Sequence, residues 1–187
     1  RGLGTPTTLE SDHNDVLAAR DSGFLQIHCA TCQEVLDTVI MAYRLAEDRR
    51  TRLPVIVNLD GFSLSFTREP VEVPTREAVR EFLPPYDPQQ ARFRASEPTS
   101  QGVAVLGGSP YSYFRYEAHL AALRSLDVYA EVAAEFETAF SRRHDSIEAY
   151  RCDDAEIVFL MIGSFATKAK AAVDQLRSAG SRVGLAR

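Results

Sequence analysis

The chain has 187 residues, of which 26 are acidic and 21 are Lys or Arg, so its net charge is −5 at pH 7. Both signs are mixed along the sequence, so no basic surface for nucleic acid is expected, and no apolar run approaches the ~20 residues of a membrane helix. Three cysteines, an odd number, argue against a disulfide framework and indicate a reducing compartment. The expectation is a soluble cytoplasmic α/β protein of one or two domains.

The first half of the chain predicts a strand–helix–strand unit. Two short apolar runs are typical of strands, Phe24–His28 and Val55–Leu59. The second is expected to be a buried strand of a parallel sheet whose two faces are both covered. Between them, Thr31 and Glu34 have the pattern of a capping box, in which each satisfies the other's backbone donor at a helix start. Ligands of such sheets bind at the carboxyl edge, which here is followed by Asp60. The apolar stripe expected on the helix comprises Val35, Leu36, Val39, Ile40 and Tyr43.

The middle of the chain predicts two helices separated by a Pro- and Gly-rich crossover. A short helix is expected from Thr75 to Leu83, where Pro84-Pro85 ends it, and residues 86–109 are interpreted as an ordered crossover. A long helix is expected over about residues 111–144. Its predicted apolar stripe comprises Leu120, Leu123, Leu126, Tyr129, Val132, Phe136 and Phe140.

The last part of the chain predicts a second βαβ unit. Ile157–Ile162 is expected to be a strand, a helix then continues to Ser178, and a final strand passes through Val183 and Leu185. Residues 147–151 are a further candidate strand ahead of this unit.

Local motifs carry little chemistry by themselves. Cys29 and Cys32 form a Cys-x-x-Cys pair at a helix start, where the positive helix end would stabilise a thiolate, but single pairs recur by chance and a redox or metal role is not favoured. The four histidines lack metal-ligand spacing, and His13, in a run of polar residues, is interpreted as part of a solvated loop. Gly163-Ser164 before a helix is a weak anion cradle. No catalytic residue and no metal site is predicted.

Several ungapped blocks resemble a known family. Residues 53–74, LPVIVNLDGFSLSFTREPVEVP, with EFLPPY at 81–86, resemble the alpha subunit of pyruvate:ferredoxin oxidoreductase, a thiamine-diphosphate enzyme family. Upstream, SDHNDVLAARDSG and CQEVLDTVIMAYRLAED are similar to that subunit in the same order. Downstream, DDAEIVFLMIGS and VGL resemble the start of its next domain. Blocks in one order over nearly the whole chain are far more specific than a single motif.

The resemblance implies a fold. The expected class is α/β, with an incomplete thiamine-diphosphate-binding parallel-sheet domain of the pyrimidine type, followed by the start of a transketolase C-terminal-like α/β domain. Residues 1–150 would form the C-terminal part of the first domain with a linker and the long helix, and residues 151–187 the start of the second. The family's subunit extends beyond both ends, so the chain is expected to be an excerpt.

The resemblance also implies a reaction and partners. The family decarboxylates pyruvate oxidatively with coenzyme A to acetyl-CoA and CO2 and passes the electrons to ferredoxin. Thiamine diphosphate with Mg would serve the intact complex, and iron–sulfur clusters would lie on other domains or subunits. The implied partners are a beta subunit with thiamine diphosphate, a gamma subunit, a ferredoxin-like delta subunit and ferredoxin. The Pro-rich stretch Gly61–Tyr86, with Phe62, Phe66 and Tyr86, is expected to lie at a subunit contact.

Arg1 is the substrate residue that the resemblance indicates. Arg1–Pro6 resembles the loop whose arginine holds the 2-oxoacid carboxylate, a task that suits a planar guanidinium because it can pair both oxygens. The next Lys or Arg is Arg20, whereas a dicarboxylic substrate would need a second cation nearby, so pyruvate is favoured over 2-oxoglutarate. The family's thiamine-activating glutamate belongs upstream, so the excerpt is expected to be inactive by itself.

Three alternatives stay open. The chain could belong to another 2-oxoacid:ferredoxin oxidoreductase, or be a non-catalytic interaction module of the same fold. The third is an unrelated doubly wound α/β domain, which predicts no partner subunit.

Overall fold

The computed structural model describes residues 8–9, 11–87, 94–100, 102 and 104–187. The elements of the first half are α1 (Asn14–Ala18), β1 (Leu25–His28), α2 (Cys32–Glu47), β2 (Val55–Asn58) and α3 (Arg76–Phe82). Those of the second half are α4 (Ser109–Phe140), β3 (Ala149–Tyr150), β4 (Ile157–Leu160), α5 (Phe165–Ser178) and β5 (Val183–Ala186). Within the described ranges, no helix is long and apolar enough to cross a membrane.

β1 and β2 are parallel neighbours, with Leu25 opposite Val55 and His28 opposite Asn58. α2 connects the two strands, which confirms the βαβ unit predicted from the sequence. The prediction that β2 is buried on both faces is wrong. All four of its residues are only half-buried, because β1 and β2 form a two-stranded sheet in the described part of the chain.

The start of α2 confirms one half of the predicted capping box. Thr31 Oγ1 accepts a hydrogen bond from the backbone N–H of Glu34 at 3.1 Å. The other half is wrong, because the carboxylate of Glu34 accepts from the N–H of Ala30 at 2.7 Å, one residue earlier than predicted. Arg187 holds the same carboxylate at 2.8 and 3.0 Å, so a residue far along the chain fixes its direction.

The buried face of α2 shares only Ile40 with the predicted apolar stripe. Val39 and Tyr43 are exposed, and the buried residues are Glu34, Asp37, Thr38, Ile40, Met41, Ala42 and Leu45. Asp37 is fully buried and accepts hydrogen bonds from Arg142 at 2.7 and 2.9 Å and from His144 at 2.9 Å. These partners lie more than 100 residues further along the chain, so the local pattern of α2 could not reveal that Asp37 is buried.

The larger core lies where α4 packs on α2 and α3. The predicted helix start at Thr75 is confirmed, and Thr75 also caps α3, its Oγ1 accepting from the N–H of Ala78 at 3.2 Å. α4 has 32 residues and is therefore about 48 Å long at ~1.5 Å per residue. Leu123 and Leu126 of its predicted stripe are exposed, so that part of the stripe is not core. The core residues that α4 supplies are Val128, Tyr129, Val132, Ala133 and Phe136.

β4, α5 and β5 form the second predicted βαβ unit. β5 lies between β4, to which it is parallel, and β3, to which it is antiparallel. Val183 and Leu185 of β5 pack with Ala166 and Val173 of α5 to form a second, smaller core. All four apolar residues of β4, the edge strand, are exposed. β3 thus pairs within this second sheet, and the domain division at residue 150 stays a prediction.

Candidate functional site

The carboxyl ends of β1 and β2 bring polar side chains to one edge of the first sheet. His28 ends β1 and Asn58 ends β2, and Asn58 Nδ2 donates to His28 Nδ1 at 3.1 Å. Burial lowers the pKa of His28, and the nearby His13 acts in the same direction, so His28 is neutral and its Nδ1 is free to accept. Asp60 follows two residues after β2, at the edge where open α/β sheets bind ligands.

Asp60 is the most highly connected side chain of this edge. Its side chain is fully buried, and its Oδ2 accepts from the backbone N–H of Ser164 at 2.7 Å and from Ser164 Oγ at 2.6 Å. Its Oδ1 lies 2.7 Å from His13 Nε2. Burial by itself would raise the pKa of Asp60, but the hydrogen bonds from Ser164 and His13 outweigh it and lower the pKa below the usual value. An ionised carboxylate only accepts, so His13 Nε2 carries the hydrogen of their bond.

Gly163 allows this approach of the second unit to Asp60. A Cβ at Gly163 would lie 2.6 and 2.8 Å from the Asp60 oxygens and 3.0 Å from His13 Nε2, and its φ is +74°. Any other residue would therefore collide with the carboxylate and adopt a strained backbone. The anion cradle that the sequence indicates at Gly163-Ser164 is filled by a carboxylate of the same chain.

The segment ahead of α1 is hydrogen-bonded to the same edge of the sheet. Ser11 Oγ donates to the carbonyl oxygen of Gly61 at 2.7 Å and lies 3.3 Å from Ser63 Oγ. The rings of His13 and His28 meet edge to face with centroids 5.1 Å apart. The interpretation of His13 as a solvated-loop residue is therefore wrong. Only knowledge of the fold could have corrected this interpretation, because Asp60 lies 47 residues after His13 and Ser164 lies 104 residues after Asp60.

The Cys-x-x-Cys pair favours thiols over thiolates. Cys29 is buried, and burial raises its pKa to about 11. Burial also raises the pKa of Cys32, and the neighbouring Glu69 adds to the effect. All three cysteines, including Cys152, are free. The positive helix end was the argument for a reactive pair, because it would lower the pKa of a thiol. Desolvation and a nearby carboxylate outweigh it and raise the pKa of both cysteines. In the described ranges, no group of His, Cys, Asp and Glu is arranged to hold a metal ion.

A second polar contact between the two βαβ units involves Arg187. It bridges Glu34 of α2 and Glu148, whose carboxylate it meets at 2.9 Å, and Lys170 of α5 pairs with the same Glu148. A cavity of about 270 Å³ adjoins this contact, bounded by β1, α2 and α4. One of its walls is Tyr129, where burial raises the pKa of the phenol to about 12, so the hydroxyl stays protonated. Arg1, the predicted substrate residue, lies outside the described residues.

The fold and this edge define an α/β protein of two βαβ units joined through buried carboxylates at the carboxyl edge of the first sheet. Residues 1–134 match the family described as pyruvate flavodoxin/ferredoxin oxidoreductase, thiamine diphosphate-binding, and the chain belongs to that family. This match, together with the parallel sheet, confirms the fold class predicted from the resemblance.

Relatives match the chain over its whole length. It is 40% identical over 185 residues to pyruvate synthase subunit PorA of Methanothermobacter thermautotrophicus, covering 99% of this chain and 48% of the relative. It is 40% identical over 187 residues to the subunit of the same name from Pyrococcus abyssi, covering 100% and 47%. It is 35% identical over 190 residues to the alpha subunit of NADH-dependent phenylglyoxylate dehydrogenase from Aromatoleum evansii, covering 97% and 45%. The chain thus spans about half the length of these relatives.

Proposed function

We propose that the chain is part of the alpha subunit of a pyruvate:ferredoxin oxidoreductase. The observation that carries the proposal is the 40% identity to pyruvate synthase subunits across both βαβ units. The proposed reaction converts pyruvate, coenzyme A and two oxidised ferredoxins to acetyl-CoA, CO2, a proton and two reduced ferredoxins. Thiamine diphosphate, when bound, supplies the electron sink for decarboxylation.

The described residues fit a supporting role at the cofactor better than a catalytic one. The three buried carboxylates of the described chain, Glu34, Asp37 and Asp60, are each held by hydrogen bonds within it. None is therefore available in this arrangement to exchange a proton with a cofactor. We assign the activating glutamate, the diphosphate and Mg ligands and the iron–sulfur clusters to other parts of the complex. This chain would supply a wall of the thiamine site.

We further propose that Arg1 binds the pyruvate carboxylate. The guanidinium pairs both carboxylate oxygens, and a monocarboxylic 2-oxoacid needs one such partner. The phenylglyoxylate relative favours a second candidate, a different monocarboxylic 2-oxoacid with a larger side chain. Both candidates keep the role of Arg1, because they differ only at the other end of the substrate.

The subunit contact is proposed for Gly61–Tyr86. Phe62 and Phe66 stack with centroids 5.4 Å apart, and Phe66 is 76% exposed, as expected for apolar side chains that a partner covers. Hydrogen exchange should show low protection of residues 61–74 in the separated alpha subunit and higher protection in the complex. Equal, full protection in both samples would contradict the contact. A cytoplasmic location, ferredoxin as acceptor and the beta, gamma and delta subunits as partners remain part of this proposal.

The proposed function is tested by assaying the purified complex that contains this chain. Reduction of ferredoxin should require coenzyme A and a 2-oxoacid, with kcat/KM highest for pyruvate. A highest kcat/KM for phenylglyoxylate would select the second candidate, and a highest value for 2-oxoglutarate would contradict the monocarboxylic site. Absence of turnover with any 2-oxoacid would support the non-catalytic module instead.

A further inference from the structure

The first third of α4 extends beyond the part of this helix that is packed. Every residue from 104 to 116, a segment called here the α4 tip, is exposed, and the first buried residue of α4 is Ala121. Residues 109–120 therefore form about 18 Å of helix, at ~1.5 Å per residue, without a buried position. Helices in proteins obtain most of their stability from packing, so a helical segment of this length needs a cover.

The α4 tip is rich in exposed aromatic side chains. Tyr111, Tyr113, Phe114 and Tyr116 are each 55–59% exposed, and just ahead of the helix Leu106 is 97% exposed. With ~200 Å² for each fully accessible ring, the four rings present roughly 450 Å² of mostly apolar surface, which is in the range of the largest patch on a typical monomer. This area is more than half of the ~800 Å² that each partner contributes to a standard interface.

The rings of the α4 tip lie on opposite faces of the helix. Phe114 precedes the buried residues Ala121, Ser125 and Val128 by the spacing of one helix face, so it continues the buried stripe past the end of the core. Tyr116 follows Phe114 after a rotation of about 200° and therefore lies on the other face. A helix that is apolar on both faces fits a groove, because a flat contact would cover only one of them.

The α4 tip lies away from the sheet edge that carries Asp60. α2 and α4 are antiparallel, because Arg44 of α2 pairs with Glu135, and Arg50, just after α2, pairs with Glu131. The first third of α4 therefore extends past the C-terminal end of α2. Since α2 begins at the carboxyl end of β1, its C-terminal end lies on the opposite side of the sheet from the ligand edge. This location favours an interface over a ligand site.

The proposed subunit contact continues to the same end of α2. Arg49, which follows α2, pairs with Asp87 at 3.0 Å, and the neighbouring Tyr86 is 55% exposed. Tyr86 is the last residue of the stretch proposed above to contact another subunit. The α4 tip therefore adds a second group of exposed aromatic rings on the side of the molecule where that contact ends.

The α4 tip is almost uncharged. Arg115 is its only charged residue, in a chain with 26 acidic and 21 Lys or Arg residues. A complementary partner surface is therefore apolar and nearly uncharged, since charged groups facing the rings would lose their hydration without gaining a partner.

We propose that the α4 tip inserts into an apolar, nearly uncharged groove of a different subunit of the oxidoreductase. The inference rests on the proposed function in one respect, that this chain works in a complex with other subunits. A second copy of the chain fits less well, because two such helices paired about a two-fold axis would cover one face of each and leave the other exposed.

Photocrosslinking in the intact complex identifies the occupant of this surface. With Tyr113→p-benzoylphenylalanine, irradiation followed by mass spectrometry should give a product that joins residue 113 to a peptide of a different subunit. A product within the same alpha subunit, or one that joins two alpha subunits, would overturn the proposal. Absence of any product would also overturn it, because the ring would then face solvent in the assembled enzyme.

Dissociation of the complex tests the strength of the contact. Tyr113→Ala should raise the concentration at which half of the complex dissociates by about 10-fold or more, because buried aromatic side chains are typical hot spots of interfaces. Tyr43→Ala is the matched control, since Tyr43 is a tyrosine of α2 that is also 59% exposed, and it should change this concentration less than about 2-fold. Mass photometry over a dilution series measures both. An unchanged value for Tyr113→Ala, or an equal change in the two variants, would contradict the contact.

Neither measurement depends on the substrate of the enzyme. If residue 113 is joined to another subunit and the wild-type complex does not use pyruvate, the proposed function fails while the docking surface stands. If the complex oxidises pyruvate and the crosslink stays within the alpha subunit, the docking surface fails while the proposed function stands.

Discussion

Asp37 and Asp60 are both fully buried aspartates that bind a histidine, yet they serve different regions. Asp37 lies on α2 and binds Arg142 at two points, within the main core beside Phe136. Asp60 lies at a strand end and binds a hydroxyl and a backbone N–H of the second unit. In Asp37 a cation compensates the buried charge, which secures one core. Asp60 is instead held by the hydroxyl and backbone N–H of Ser164 and by His13 Nε2, and it connects two units.

The largest expected effect is the loss of folding stability when Asp37 is replaced. Asp37→Ala should lower the free energy of unfolding by about 3–4 kcal/mol, because it leaves the largely buried Arg142 guanidinium without its bidentate partner. Chemical denaturation of the chain measures this change, with the exposed Asp127→Ala as control. A loss below about 1 kcal/mol would show that Arg142 recovers its hydrogen bonds from water, and the contrast with Asp60 would disappear.

The next effect concerns the close approach at Asp60. Gly163→Ala should destabilise the chain by about 2 kcal/mol more than Gly180→Ala, because only the first adds a clash to the strained φ. Gly180 is the matched control, since its φ is +93° and a Cβ there would meet no atom within 4 Å. Equal destabilisation of the two variants would mean that the second unit can shift away from Asp60 without cost.

The smallest effect is the dependence of stability on pH. Both aspartates have a lowered pKa in the folded chain, from hydrogen bonds that outweigh burial. Unfolded aspartates titrate near ~3.9, so the stabilisation is fully present above that pH and is lost as the pH falls through the folded values. Denaturation between pH 6 and pH 3 should therefore show stability declining below about pH 4. Asp37→Asn and Asp60→Asn should each flatten the decline, and an unchanged slope in either would remove that residue from the explanation.

The sequence predicts what depends on neighbours along the chain. Thr31 was recognisable as a helix cap and Thr75 as a helix start, and the alternation of apolar runs with helices predicted both βαβ units. It does not predict what depends on distant partners. The buried face of α2 includes the carboxylates of Glu34 and Asp37 because Arg142, His144 and Arg187 reach them from the second half of the chain. His13 looked solvated for the same reason, since its partner Asp60 becomes adjacent only in the fold.

Apolar residues show the converse error. Leu123 and Leu126 fit a helical stripe, and Val158 and Leu160 fit a strand, but all four are exposed. A periodic pattern of apolar residues indicates that one face of a helix or strand is suited to burial, but it does not identify the element or partner that covers this face. In a chain that spans about half the length of its relatives, such faces are where sequence and structure are expected to disagree.

The central proposal is that Arg1 binds the carboxylate of the 2-oxoacid substrate in the intact enzyme. The most direct test is the pyruvate KM of the intact enzyme carrying Arg1→Ala, compared with Arg20→Ala, an exposed arginine paired with Asp21. Removing a charged partner of the carboxylate costs ~2 kcal/mol or more, so Arg1→Ala should raise the KM about 30-fold or more. Arg20→Ala should leave the KM unchanged. An unchanged pyruvate KM in Arg1→Ala would remove Arg1 from the substrate site and contradict the claim.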